Sequence, residues 1–363
     1  MYMNFNFYLL KSLRILLFPL ALLYAIIVKI RNFLFDKNIL KSAQFNLPII
    51  CVGNLVVGGT GKSPMVELLV DLLRYDYHVA TLSRGYKRRT KGYVLANENT
   101  TAIDIGDEPM QFHLKFPEVP VAVGEERVVA VPQILFDKPE TEVIILDDAF
   151  QHRSIHAGFN IVLTDYNNIY AHDFYLPTGD LRDDKNSAHR ANVIVVTKCP
   201  PNLHSTAKQV FSKTLRIQTH QKLYFTTIEY GMPYHIIHRD KKMPITEALE
   251  VLMVCGIANP TPLKQFLTQH AKTYHQQSYN DHRIFTIDDL KDIQTKFNAI
   301  TSTQKIILTT EKDSVRMLKF KEKLNDIPMY IIPIRHYFLF NEEPIFTAQI
   351  KDFVDNFNPT FKN

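Results

Sequence analysis

The sequence predicts an α/β protein: a doubly wound, mostly parallel sheet with a second, smaller α/β lobe and an N-terminal membrane-anchor helix. Three observations carry that expectation. Short apolar, β-branched runs recur along the chain with amphipathic stretches between some of them. One such run leads through a glycine-rich turn into an amphipathic pattern, and an uncharged apolar segment stands near the start. At 363 residues, 46% hydrophobic and 22% charged, the chain is long enough for one large or two ordinary domains and needs no disulfide or metal to build a core. Its 12 glycines and 19 prolines exclude a collagen-like or low-complexity chain. Lys plus Arg exceed Asp plus Glu by only 42 to 37, too small a surplus to indicate a nucleic-acid partner.

The first element is the segment 1–42. From Ile15 to Val28 the chain reads ILLFPLALLYAIIV, with no charge. That is shorter than the roughly 20 residues a helix needs to cross a bilayer. No small-residue cleavage site follows; the next residues are Lys29, Ile30, Arg31 and Asn32. Before Asn46 the only acid is Asp36, against Lys11, Arg14, Lys29, Arg31, Lys37 and Lys41. An apolar stretch bracketed by cations suits insertion into one leaflet beside anionic head groups. The expectation is an anchor on a cytosolic membrane face; the alternative is a buried core helix. Cys51, Cys199 and Cys255 lie far apart, without metal spacing, and read as buried free thiols of a reducing compartment.

Strand-like runs follow at Ile49–Val52, Val143–Leu146, Ile161–Leu163, Val193–Val196, Val251–Val254 and Ile306–Leu308, with a helical pattern over Val66–Leu73. Strands apolar along their whole length are covered on both faces, which points to parallel sheets layered with helices. Around Leu223–Ile237 the pattern is strand-like with a turn at Gly231-Met232-Pro233, read as a hairpin joining two lobes. The expected division is therefore a nucleotide-binding domain over 43–220, a hairpin-like linker over 221–245 and a smaller lobe over 246–363.

After the first strand comes Gly58-Gly59-Thr60-Gly61-Lys62-Ser63, then Pro64 and the helical pattern. Glycines let backbone N–H groups fold around phosphate oxygens, and the helix start adds positive potential. Lys62 would reach the β- and γ-phosphates and Ser63 would ligate magnesium. The strict pattern has glycine where this chain has Val56, so Gly58 and Gly59 are expected to supply the flexibility. The run Val143-Ile144-Ile145-Leu146 ends in Asp147-Asp148, where a P-loop protein holds its Mg²⁺. Together these specify a magnesium-nucleotide site on a P-loop NTPase-like, doubly wound sheet, without saying which of the two acids touches the metal.

Further polar clusters are Ser83–Arg89, Gly106-Asp107-Glu108-Pro109, Phe150-Gln151-His152-Arg153, Leu176–Arg182, Asp281-His282 and Thr310-Glu311-Lys312-Asp313. Several follow expected strands, whose C-terminal ends bind ligands in open α/β sheets. Taken in order with Val52-Gly53-Asn54-Leu55 and Val57–Ser63, they resemble the tetraacyldisaccharide 4'-kinase family, which phosphorylates the lipid A disaccharide precursor of bacteria. The resemblance runs from the N-terminus to about residue 316. It implies two α/β lobes with the site between them, use of ATP and Mg²⁺, and a place on the cytosolic face of the inner membrane. It also implies roles by position: Asp147 and Asp148 in metal binding and catalysis, and Asp107 with His282 as an acid–base pair drawn from different lobes. Arg84, Tyr86, Arg127, Gln151, His152 and Arg182 are the residues expected to grip the acceptor, a lipid A disaccharide 1-phosphate.

Three departures from the family pattern stand out. Asp183 replaces a common Glu that would serve metal or nucleotide, one carbon shorter. Arg283 replaces a second His, and Ala149 replaces a common Gly, a change that matters only at positive φ. Two rival readings share the Lys62 turn but not the Asp107–His282 pair: a membrane-docked switch or assembly NTPase, and a nucleotide-binding scaffold without turnover.

Overall fold

In the computed structural model, which describes residues 14–281 and 283–358, the uniformly apolar runs become the inner strands of two sheets. The chain forms β1 (Ile49–Asn54), β2 (Val79–Ser83), β3 (Val94–Leu95), β4 (Val121–Val123), β5 (Val143–Asp147), β6 (Phe159–Asp165), β7 (Val193–Thr197) and β8 (Lys222–Tyr230). These are followed by β9 (Tyr234–His235), β10 (Glu250–Cys255), β11 (Thr273–Ser278), β12 (Lys305–Thr310), β13 (Met329–Ile332) and β14 (Ile334–Phe338). The larger sheet has the order β14-β8-β7-β6-β1-β5-β2-β4-β3 and the smaller β11-β10-β12-β13-β9. Among the described residues only the edge strand pairs β14–β8, β3–β4 and β13–β9 are antiparallel.

Alternation along β1 shows why its run is apolar throughout. Ile49 and Cys51 join the core on one face, Ile50 and Val52 the core on the other. Helix α2 (Lys62–Leu73) covers the second face with Met65, Val66, Leu69, Val70 and Leu73. Each such fully buried side chain is worth about 1.5–3 kcal/mol. Helices α3 (Asp107–Lys115) and α4 (Arg127–Asp137) lie on opposite faces, Phe112 in the same core as α2, and Ala130, Val131 and Ile134 in the other. The sheet is thus doubly wound. Strand β1 pairs with β5 and β6 in parallel, and the crossover between those two passes over it. That is the switch point where a crevice opens at the strand C-terminal ends.

The N-terminal apolar run extends into α1 (Phe18–Asp36). With the preceding turn it makes 22 helical residues, Ile15–Asp36, long and apolar enough to cross a membrane by length and composition alone. The helix lies along the larger lobe. Ala21, Ala25, Val28 and Asn32 form its buried stripe, while Leu20, Leu22, Leu23, Ile26, Ile27, Ile30 and Phe33 stay exposed. All three cysteines are buried and free.

The division of the chain differs from the expected one in two ways. β8 and β9 flank Gly231-Met232-Pro233 but belong to different sheets, so that turn closes no hairpin; the chain folds back antiparallel only beyond it, where Tyr234 bridges Lys242. The C-terminal part of 246–363 also leaves the second lobe. β14 pairs with β8, and α9, the helix Glu343–Asp355, packs Phe346, Ile350 and Val354 into the core beneath α2. The second lobe is therefore an insertion entered and left at neighbouring crossings, joined by Gly231 N–H donating to the Pro333 carbonyl at 2.9 Å. The first lobe also carries α5 (Ala207–Leu215), and the insertion carries α6 (Thr261–His270), α7 (Ile287–Ala299) and α8 (Glu311–Met317).

Candidate active site

The glycine-rich turn sits at the switch point, between β1 and α2. Gly58 and Gly61 have φ of 111° and 88°, a region that other residues adopt only under strain. Val56 needs no such freedom: it is buried in an antiparallel bridge with Leu181, and Val57 N–H donates to the Asp180 carbonyl at 2.8 Å. The missing first glycine is explained by that extended conformation. Pro64 occupies the first turn of α2, where its lacking N–H has no partner to lose. Gly61 and the start of α2 thus present amides and the Lys62 ammonium to one corner.

Asp147 ends β5 and Asp148 follows at φ 48°. The left-handed residue is therefore Asp148, and Ala149 costs nothing in place of glycine. Lys62 Nζ lies 3.9 Å from Asp148 Oδ2. Arg182 forks onto both Asp148 oxygens and onto Asn54 Oδ1. Burial pushes the Asp148 carboxyl up, but Lys62 and Arg182 outweigh it and hold the group below the usual carboxylate range. Asp147 goes the other way, up to about 7, through burial and then the adjacent Asp148 charge; Ser83 Oγ donates to it at 3.2 Å. Burial also lowers Lys62, partly countered by Asp148. Two neighbouring acids with opposite shifts are the electrostatic mark of a working site.

Asn54, fully buried, is the hub here. Its Nδ2 donates to Thr60 Oγ1 at 3.0 Å, and its carbonyl accepts from Gln151 Nε2 at 2.7 Å. His152 is lowered to about 4 by burial and by the Arg127 and Arg84 charges, so it is neutral at pH 7. Arg84 and Tyr86 follow β2 on the exposed rim, Tyr86 being 60% accessible.

Asp107 opens α3 after Gly106 (φ 93°) and receives Arg316 Nη2 of α8 at 2.6 Å. Arg316 also lies 3.4 Å from the buried Asp313. Along the same seam Lys312 is 3.8 Å from Glu108 and 3.5 Å from Asp281, and Lys115 bridges Glu67 (2.7 Å) and Glu311 (2.8 Å). Arg316 and Lys312 of the second lobe thus reach Asp107 and Glu108 of the first, and Lys312 also holds Asp281. His282 lies outside the described residues.

Two expected roles do not fit the geometry. Asp183 as a metal ligand is corrected: it is 1% exposed, and its Oδ1 already accepts from Asn32 Nδ2, Ser187 Oγ and Asp184 N–H, beneath α1. Extended backbone sends Arg182 and Asp183 to opposite sides, Arg182 to the aspartates and Asp183 to the anchor helix. Arg127 as an acceptor ligand is corrected too. At 1% exposure its guanidinium donates to the carbonyls of Gly124 (2.7 Å), Glu125 (3.2 Å) and Asp147 (3.4 Å), bracing the end of β5. Asn54 as a hub and Arg316 went unread. Asn54 at least stands inside the Val52–Leu55 signature, whereas nothing local marks Arg316.

Comparison with known proteins agrees with this arrangement. A family model described as tetraacyldisaccharide-1-P 4'-kinase matches residues 13–355. A tetraacyldisaccharide 4'-kinase of Flavobacterium johnsoniae is 44% identical over 350 residues, covering 96% of this chain and 99% of the relative. One of Bacteroides thetaiotaomicron is 40% identical over 352 residues, covering 93% and 92%. Among solved structures, LpxK of Aquifex aeolicus in complex with ATP superposes with a TM-score of 0.73 at 28% identity, covering 94% of this chain and 99% of that one. With the lobes, the glycine turn and the aspartate pair in the places described, the chain belongs to the tetraacyldisaccharide-1-P 4'-kinase family.

Proposed function

We propose that the chain transfers the γ-phosphoryl group of ATP to the 4'-hydroxyl of a tetraacylated glucosamine disaccharide 1-phosphate at the cytosolic surface of the inner membrane. The observation that carries this reading is the single corner shared by Lys62, Asp147, Asp148 and Arg182 at the ends of β1 and β5, facing a seam lined by Asp107. Such a transfer depends on positioning and charge stabilisation more than on covalent chemistry.

In this reading the amides of Gly58–Ser63 and the Lys62 ammonium hold the triphosphate. Ser63 and Asp147 would hold Mg²⁺. Asp147 fits that task because it is a buried carboxylate with Ser83 Oγ as its hydrogen-bond donor at 3.2 Å. Mg²⁺ commonly binds through one or two carboxylates, phosphates and water, so one acid with a neighbouring hydroxyl suffices for it. When bound, Mg²⁺ would offset charge on the phosphates. Asp148, held by Lys62 and Arg182, keeps both cations aimed at the transferring group. Asp107, oriented by Arg316, acts with His282 to take the 4'-hydroxyl proton as the new O–P bond forms and ADP leaves. Arg84, Tyr86, Gln151 and the neutral His152 line the acceptor side. The exposed face of α1, with Lys29, Lys37 and Lys41 beside it, rests on anionic lipid.

The test is incubation of the full chain with γ-labelled ATP and the disaccharide 1-phosphate in vesicles, followed by mass analysis of the lipid. One added phosphoryl group on the non-reducing sugar is expected. ATP hydrolysis at the same rate without acceptor, and no lipid product, would support the switch NTPase instead.

A further inference from the structure

The carbonyls of the glycine turn are held from behind by three side chains. Gly59 O accepts from Lys198 Nζ, Thr60 O from Thr197 Oγ1 at 2.9 Å, and Gly61 O from His336 Nε2 at 2.8 Å. A trans peptide points its C=O and N–H in opposite directions. Fixing the Thr60 and Gly61 carbonyls against the sheet therefore aims the Gly61 and Lys62 amides away from it, into the turn. Thr197 ends β7 and Lys198 follows it, at a strand end that faces the turn. His336 arrives from 275 residues away, on β14.

The protonation of His336 follows from its partners. A carbonyl oxygen can only accept, so Nε2 carries the hydrogen. Burial lowers the group to about 4, which keeps the ring neutral and leaves Nδ1 as an acceptor. Thr226 Oγ1, fully buried on β8, lies 2.9 Å from Nδ1 and must donate. The ring is 1% exposed, and a Cβ added to Gly61 would stand 2.9 Å from its Cε1. Contact and hydrogen bond thus converge on the one residue of the turn that precedes Lys62.

We infer that His336 is a positioning residue for the nucleotide: it grips the Gly61 carbonyl, with its tautomer set by Thr226, and so fixes the amides that meet the phosphates. This rests on the reading of residues 58–63 as the ATP site. His336 touches neither substrate and acts through Gly61. Its loss should appear in ATP binding and not in the acceptor's KM.

The experiment uses the full chain with His336→Phe, which fills the space but cannot donate, His336→Gln, whose amide nitrogen replaces Nε2, and Thr226→Val. Calorimetry with a non-hydrolysable ATP analogue and Mg²⁺ gives Kd, steady-state kinetics gives both KM values, and thermal melts follow the fold. His336→Phe is expected to raise Kd and the KM for ATP on the order of tenfold, the scale of one lost buried hydrogen bond. His336→Gln should stay within about threefold of the parent, and Thr226→Val should fall between them. Wild-type Kd in His336→Phe overturns the inference, as does equal impairment of the Phe and Gln variants, which would mark a packing residue. If His336→Phe does not fold, wild-type Kd in Thr226→Val overturns it equally. Lys62→Ala separates the two levels: if it too binds ATP normally, the nucleotide-site reading falls; if it alone loses binding, that reading stands and only the role of His336 is lost.

Discussion

Arg182 and Asp183 are adjacent in sequence and serve different halves of the molecule. One grips Asp148 beside the glycine turn, the other Asn32 of α1. Lys62 and then the Arg182 fork let the half-buried Asp148 stay ionised beside Asp147. Arg182→Lys keeps the charge but not the two-pronged geometry. We expect it to lower kcat about tenfold and Arg182→Ala about a hundredfold, measured at saturating ATP and acceptor. A wild-type kcat in Arg182→Ala would leave Asp148 without a need for the guanidinium. At this scale the sequence was legible where chemistry is local. Gly58–Ser63 and Asp147-Asp148 are each a short run of chain at a strand end, and the structure brings them to one corner. Arg127 misled because an arginine's charge is visible in sequence and its burial is not. Arg316 reaches Asp107 across 209 residues, a meeting set only by the packing of two lobes.

At the scale of elements, the uniformly apolar strands were readable because burial on both faces leaves no polar position. β14 was not. Its alternating Ile334, His336 and Phe338 mark a one-sided strand, but its partner β8 lies across the whole second lobe. The same long return builds the seam between α3 and α8. There Glu67 and Glu311 share Lys115, with Gln111 also donating to Glu67 and with Tyr234 and Arg239 nearby. Burial, and then Glu311, push the Glu67 carboxyl up to about 7, while the two acids hold Lys115 above its ordinary value. An acid raised in the folded state favours folding most when protonated in both states, and that advantage is lost as pH rises through its folded value. Stability from Glu67 should therefore decline between about pH 5 and pH 8, by at most ~3 kcal/mol. In thermal melts, Glu67→Gln should gain on the parent as pH rises across that window. A constant difference between the two would show that Glu67 does not titrate there.

At the scale of the whole molecule, α1 is the element through which, in the proposed reading, the nucleotide site would meet a lipid surface. Its buried stripe is made of small or polar side chains, Ala21, Ala25, Val28 and Asn32, which let the helix lie close to the larger lobe. Contacts run its whole length: Arg14 to the Pro177 and Gly179 carbonyls and Asp180, Tyr24 to the Arg182 carbonyl, Asn32 to Asp183, and Asp36 to Arg153. A helix gripped at both ends by the same lobe lies flat against it, with a broad face of leucine, isoleucine and phenylalanine left to solvent. An exposed apolar face of this breadth marks an interaction surface, and in the proposed reading lipid covers it. Leu23 and Ile26 stand at its middle, each about half exposed. Leu23→Asp with Ile26→Asp removes two inserted side chains, each worth about 1.5–3 kcal/mol, so affinity for vesicles containing anionic lipid should fall by at least a hundredfold in cosedimentation. Because both positions face outward, the melting temperature of the doubly substituted chain should stay close to the parent's. Raising salt should weaken the parent's binding only in part, since Lys29, Lys37 and Lys41 supply a screened attraction and the apolar face does not. Undiminished vesicle binding by the double variant would mean that α1 is not the surface that meets the membrane.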